Sequence, residues 1–342
     1  MKKLISLFLI LITICLLCGC TSKQLNERMV IQGMGIDYTQ DEYKVTVMYM
    51  NTDISQQDVP HKTATGKGRT VTEAVTSIVN RNGLEPLYSH NSFILLGESI
   101  CNEGVGEALE FFAGYYQCRP TVNILVADRD AEKIMTLKDI TPGTISKIAE
   151  SNNTTGRTIT TPMYIFLSDI LNNTSSACTA LITVKDDVPV SDGIAVFKDD
   201  KFSYSLNSTQ SIGVMLIRGE SDISAEVIPL NGKNKSFALD YESSDTTIKI
   251  ENGILYCDIK INGEATIYEY TETEKNIEQK IEERVNKIIK DSVAECAKNG
   301  SDVFYFGKML RQSDSEVYHT IKDWSRLLEK GVYSVSSDIS VS

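Results

Sequence analysis

Thr246-Thr247-Ile248-Lys249-Ile250-Glu251-Asn252-Gly253-Ile254-Leu255-Tyr256-Cys257-Asp258-Ile259-Lys260-Ile261 decides how the C-terminal half must be built. Asn252-Gly253 supplies the positive φ angles that a two-residue turn needs, so residues 246–250 and 254–261 form a hairpin. Asn262-Gly263 marks a further turn, followed by a strand over 265–268. A long helix is expected over 274–298, where Ile277, Ile281, Val285, Ile288 and Ile289 form the apolar stripe. Glu278, Lys280, Glu282, Glu283, Lys287 and Lys290 solvate its other side. A shorter helix carrying Val317, Ile321, Trp324 and Leu328 and a strand over 332–339 complete an antiparallel sheet with helices on one face.

Working outward, residues 194–198 and 201–206 pair across an acidic turn at Asp199-Asp200, and a helix follows near 210–217. The polar run 185–192 is the expected domain boundary. Before it, strands over 29–36 and 43–49 form a hairpin, and residues 51–67 are polar and loop-like. Thr70-Val71-Thr72-Glu73 fits a capping box, opening an amphipathic helix that Gly83 ends. Strands over 93–96, 122–127 and 179–184 alternate with helices over 104–116, 145–150 and 163–171, with a short helix after Asp130. The fold class is therefore α+β: a mixed α/β N-terminal half, and an antiparallel sheet with a long helix in the C-terminal half.

The N-terminus sets the topology. Lys2 and Lys3 precede an apolar run over 4–17, fourteen residues where a spanning helix needs about 20. This is the length of a secretory signal core. Leu17-Cys18-Gly19-Cys20 then has the form of a bacterial lipobox, which makes residues 1–19 a signal peptide and Cys20 the lipidated first residue. At about 0.8 kcal/mol per buried methylene, the attached acyl chains would hold the protein on a bilayer. The remaining 323 residues exceed the size at which one core keeps growing, so two units are expected, 20–190 and 191–342, with room for two subdomains in the first.

Apolar residues make up 42% and charged residues 23%, ordinary values for a globular body. Loss of Lys2 and Lys3 takes the formal charge from −12 to −14, which disfavours nucleic acid and anionic headgroups as partners. Cys101, Cys118, Cys178, Cys257 and Cys296 are widely spaced and lack a C-x-x-C pair, arguing for buried thiols over zinc, a redox motif or a disulfide framework. Cys101 with Cys118 is the one pair worth testing for a bridge.

Catalytic constellations are missing. Gly33-Met34-Gly35 lacks the third glycine and following helix of a dinucleotide loop and reads as a turn or bulge. His61, His90 and His319 sit in no metal-binding spacing. Asp186-Asp187 and Asp199-Asp200 lie in turns, where carboxylates favour backbone hydrogen bonds over glycosidase chemistry. No enzyme activity, metal or cofactor is expected.

Several ordered motifs do resemble one family, the Ger(x)C lipoproteins of spore-forming bacteria. They are Gly33-Met34-Gly35-Ile36-Asp37, His90 with Ile94-Leu95-Leu96-Gly97-Glu98, and Gly104 opening a helix. Arg119, Gly193-Ile194-Ala195-Val196-Phe197-Lys198, Asp302 with Gly307, and Trp324 follow in order. The chain departs from the family after Cys20, where Thr21-Ser22-Lys23 replaces an aromatic residue and Glu27-Arg28 is a reduced charged cluster. The resemblance implies a non-catalytic C subunit of a nutrient germinant receptor, held by lipid on the outer face of the inner spore membrane. Its implied partners are a polytopic A-type subunit and a transporter-like B-type subunit. The alternative weighed is a solute-binding lipoprotein of an importer, which should show two α/β lobes of repeated strand-helix units.

Overall fold

The computed structural model describes residues 27–50, 61–115, 117–151, 155–220, 222–230, 232–268 and 276–341. The signal core, the lipobox and Cys20 lie outside the described residues. The fold class is α+β, built on two sheets.

The first sheet runs from β1 (Arg28–Thr39) to β10 (Lys201–Leu206). Its centre is parallel: β1 pairs with β5 (Phe93–Leu96), β5 with β6 (Asn123–Ala127), and β6 with β8 (Cys178–Lys185). Antiparallel strands extend both sides, β2 (Glu42–Met50) and β3 (His61–Gly68) beyond β1, β9 (Val188–Lys198) and β10 beyond β8. Short strands β4 (Glu85–Leu87) and β7 (Thr161–Pro162) pair with β1 and β6.

Central strands covered on both faces need continuous apolar runs. In β5, Ile94 and Leu96 face one core, together with helices α1 (Val71–Asn82), α2 (Glu98–Glu103), α3 (Gly106–Gly114) and the later Met163–Ile170 helix. Phe93 and Leu95 face the other core, under α4 (Ala131–Met135) and α5 (Pro142–Ala149). The Met163–Ile170 helix is α6.

Several local expectations are met. Thr70 caps α1 by accepting from the Glu73 N–H, and Gly83 closes the helix at φ 67°. The box is displaced by one residue, because the Glu73 carboxylate takes the N–H of Arg69. Others are corrected. Residues 61–68 are not loop but strand β3; Gly66 and Gly68 lie where a Cβ would come within 2.4 Å of the Ala74 backbone on α1. The helix expected from Gly104 begins at Gly106, and α2 precedes it, with Gly104 between them at φ 136°. The Asp199-Asp200 turn docks there: Val105 and Gly106 donate their N–H groups to the Asp200 carbonyl and carboxylate. Pro142 and Gly143 belong to the first turn of α5.

Residues 185–192 form the Asp186-Asp187 turn and the start of β9, so the first sheet continues to Leu206. In β9, Ala195 and Phe197 join the first core while Ile194 and Val196 join the core of the second half. That second core is built from α7 (Ser208–Arg218), α8 (Ile277–Lys298) and a sheet in the order β11 (Ile223–Leu230), β12 (Lys233–Glu251), β13 (Ile254–Ile267), β14 (Val332–Val341).

The Asn252-Gly253 turn is as read, with φ of 52° and 77° and Glu251 paired to Ile254. Asn262-Gly263 is not a turn: β13 runs through it, opposite a bulge between Tyr241 and Ser243. The sheet is mixed, because β14 adds parallel to β13 after the chain has crossed over through α8 and three short helices. Those are α9 (Phe306–Ser313), α10 (Ser315–Thr320) and α11 (Trp324–Glu329), where one helix was expected.

Gly193 opens the shared part of β9 at φ 98°, and a Cβ there would sit 2.0 Å from the Leu206 carbonyl oxygen. Gly193→Ala should therefore destabilise the protein by at least about 2 kcal/mol through combined strain and overlap. Urea unfolding of both forms at equal temperature checks this.

Candidate functional site: the seam between the two halves

Most residues carrying the family resemblance are packed within the fold, while Phe197, Lys198, Asp302 and Trp324 line a small polar cavity at the seam. In β1, a Cβ on Gly33 would come 2.3 Å from the Phe93 ring, and one on Gly35 would come 2.4 Å from Met135 Sδ. These glycines let the flanking layers approach the strand. Asp37, only 1% exposed, accepts from the N–H groups of Ala131 at 2.7 Å and Glu132 at 3.1 Å, so it caps α4 from a distant strand end. Burial pushes its carboxyl pKa upward against those two hydrogen bonds. Gly97 leaves room for this carboxylate, since a Cβ there would meet Asp37 Oδ1.

Asp302 plays the same part at the seam. Its Oδ1 accepts from the N–H groups of Phe304 at 3.2 Å and Phe306 at 3.0 Å. Its Oδ2 accepts from Gly307 N–H at 2.8 Å and Trp324 Nε1 at 3.1 Å. Asp302, Gly307 and Trp324, separate in sequence, thus converge on one buried carboxylate. The backbone of Asp302 also joins the first half: its carbonyl accepts from Ser176 N–H at 2.9 Å, and its N–H donates to Ser176 Oγ at 3.0 Å. Gly307 abuts the Thr174 carbonyl, which a Cβ would approach to 2.6 Å.

Beside it lies a cluster that sequence reasoning missed. The Arg218 side chain is 4% exposed. It donates to the Val303 carbonyl at 2.6 Å and to Cys178 Sγ at 3.3 Å, and lies 4.2 Å over the Tyr305 ring. Tyr305 Oη donates to Asp169 Oδ2 at 3.0 Å, and Ser175 Oγ to Asp169 Oδ1 at 3.0 Å. Further along the seam, Glu226 is 4% exposed and held by Arg157 at 2.7 Å and Arg284 at 2.6 Å. Arg157 comes from the segment before β7, Glu226 from β11 and Arg284 from α8. No local pattern flags these residues, because each sits singly on an ordinary element and, apart from Ser175 and Asp169, the partners lie tens of residues apart. A polar cavity of about 130 Å³ sits at the seam, lined in part by Asn172, Asn173, Ser175, Ser176 and Asp302.

The other singled-out residues stay apart. His61 is on β3, His90 on the exposed loop before β5, and His319 on α10; Arg119 is exposed. All five described cysteines are free thiols, so Cys101 and Cys118 form no bridge. Burial pushes Cys178 up to about 11, with Arg218 pulling against it, and raises Cys118, Cys257 and Cys296 to about 12. These are packing thiols, not thiolate nucleophiles. Among the described residues no group of three His, Cys, Asp or Glu is placed to hold a metal ion.

Burial pushes the Asp302 carboxyl up to about 6, against the pull of its four N–H partners. A raised carboxyl favours the protonated folded form, so its stabilisation is full below about pH 4 and is lost as pH rises through about 6. Asp302→Asn leaves one acceptor oxygen where two serve four donors, and should cost about 2–5 kcal/mol. Because asparagine does not titrate, the gap between the two proteins should narrow from pH 4 to pH 7 in urea unfolding.

Against this geometry, two family models match the chain. "Spore germination protein N-terminal domain" covers residues 21–184, and "Spore germination B3/ GerAC like, C-terminal" covers residues 192–342. Spore germination protein KC of Bacillus subtilis (strain 168) is 23% identical over 380 residues, spanning 95% of this chain and 91% of that protein. The crystal structure of the GerBC protein superposes with a TM-score of 0.60 at 19% identity, covering 94% of this chain and 99% of that one. Both halves and their order are shared, and the chain therefore belongs to the GerAC-like family of spore germination proteins, the C subunits of germinant receptors.

Proposed function

We propose that this chain is a lipid-anchored, non-catalytic subunit of a spore nutrient germinant receptor, required for receptor assembly or signalling. The carrying observation is that family matches occupy both halves, 21–184 and 192–342, directly behind a lipobox ending at Cys20. In this reading residues 1–19 are a signal peptide, and the lipid on Cys20 holds the body on the outer face of the inner spore membrane. Units 20–190 and 191–342 work as one body there, beside a polytopic A-type subunit and a transporter-like B-type subunit.

A non-catalytic role is supported by what the family-bearing carboxylates do. Asp37 and Asp302 spend their oxygens on backbone N–H groups and the Trp324 indole. The two sheets are also unlike each other, one of ten strands and the other of four among the described residues. A solute-binding protein of an importer is instead built from two similar α/β lobes.

Cys20→Ala should release the protein from the membrane fraction after a high-salt wash, which removes peripheral electrostatic contacts, and abolish nutrient-triggered dipicolinate release from spores. Membrane retention and nutrient response both equal to the parent would overturn the anchored-subunit reading.

A further inference from the structure

The C-terminal sheet ends in a projecting tip. Strand β11 pairs with β12 only as far as Leu239, so the rest of β12 runs on with β13, joined by β14 from Val332. At the tip, Leu255 points inward and is fully buried, while Ile254, Tyr256 and Val332 are 38%, 38% and 50% exposed. Tyr256 pairs with Lys249 on one side and Val332 on the other, which places a cation and two apolar groups in one exposed row.

The opposite face of the tip holds a cavity of about 460 Å³ against α10 and α11. Ile250, Ile321 and Leu327 give it apolar walls, and Lys322, Arg326 and Lys330 stand around it. All three cations are exposed, and none forms an ion pair among the described residues. Asp323, also at the cavity, is engaged in capping α11 through the N–H of Arg326. Lys249, Lys322, Arg326 and Lys330 outnumber Glu251 and Asp323 at the tip, a small local positive excess on a chain with a net charge of −12.

We infer that this tip is a second membrane contact, docking on an anionic phospholipid surface with a headgroup phosphate among Lys322, Arg326 and Lys330. Exposed apolar side chains flanking an exposed two-residue turn, Ile254 and Tyr256 beside Asn252-Gly253, are placed to enter an interface, whereas a peptide reader would hold them in a groove. A tyrosine ring suits the headgroup level, with an apolar body and a polar end. Exposed lysines on flexible stems act as point charges, matching a diffuse anionic surface. Preference for a bilayer over an acidic protein segment rests on the lipid-anchored reading; the binding itself does not need the Cys20 lipid.

The test uses the chain from Thr21, which lacks the lipid yet keeps every described element, since these begin at residue 27. Co-sedimentation is measured with vesicles of phosphatidylglycerol and phosphatidylcholine in equal parts, and with phosphatidylcholine alone. Binding to the anionic vesicles only, weakening with salt, is the expected result. Lys322→Gln, Arg326→Gln and Lys330→Gln should each weaken it by roughly fivefold. Ile254→Ser should weaken it at every salt concentration, with circular dichroism unchanged in all variants. Absence of binding, equal binding to neutral vesicles, or binding that survives the triple glutamine variant overturns the inference. Capture of soluble polyglutamate without vesicle binding also overturns it, in favour of an acidic protein partner. Membrane release of Cys20→Ala in spores is read separately, so either idea can fail alone.

Discussion

The structure depends on one strand serving two cores. In β9, successive side chains point to opposite faces, so Ile194 and Val196 enter the core of the second half while Ala195 and Phe197 enter that of the first. All four are fully buried. A one-residue register slip would exchange the two sets and damage both cores at once. Gly193 fixes that register: its positive φ and its approach to the Leu206 backbone admit no side chain. The halves are therefore joined by a common wall, not a flexible linker, and strain on one reaches the other through packed atoms.

Polar contacts reinforce the wall where apolar packing ends. Asp302 gathers α9, Trp324 and both the N–H and the hydroxyl of Ser176, and Arg218 ties α7 to Cys178 of β8 and to Tyr305. Glu226 lies buried between Arg157 and Arg284. Buried charges add little net stability over apolar packing, but leaving one unpaired costs several kcal/mol, typically about 3–5. Their effect is to select one relative placement of the halves. In the receptor role proposed above, a body with one fixed shape can pass on a displacement without absorbing it.

Elements governed by nearest neighbours were legible in the sequence. Asn252-Gly253 makes its turn from local φ preference, and α1 starts and stops at Thr70 and Gly83 for equally local reasons. Where the sequence misled, a glycine served packing instead of turning. Gly66 and Gly68 let β3 lie against α1, and Gly263 sits 2.7 Å, at its would-be Cβ, from the Asp240 carbonyl inside a continuous strand. The parallel docking of β14 was hidden because its partner β13 lies beyond a whole crossover. At the seam, Asp302, Gly307 and Trp324 were visible as motif residues. Their convergence was not, since the donors come from five residues and from twenty-two residues along the chain.

This division bears on where partners are met. Most residues by which the family is recognised turn out to be frame: glycines that admit a neighbour, apolar residues of doubly covered strands, and carboxylates that close helix ends. Such residues report the fold and say little about what it touches. His90, Glu98, Arg119 and Lys198 are the members of the series left exposed, so backbone packing does not account for their side chains. The basic, apolar tip around Tyr256 and Arg326 lies outside the series altogether. Contact chemistry in this protein must accordingly be sought on its surface, around a frame whose recognisable residues are already occupied in holding it together.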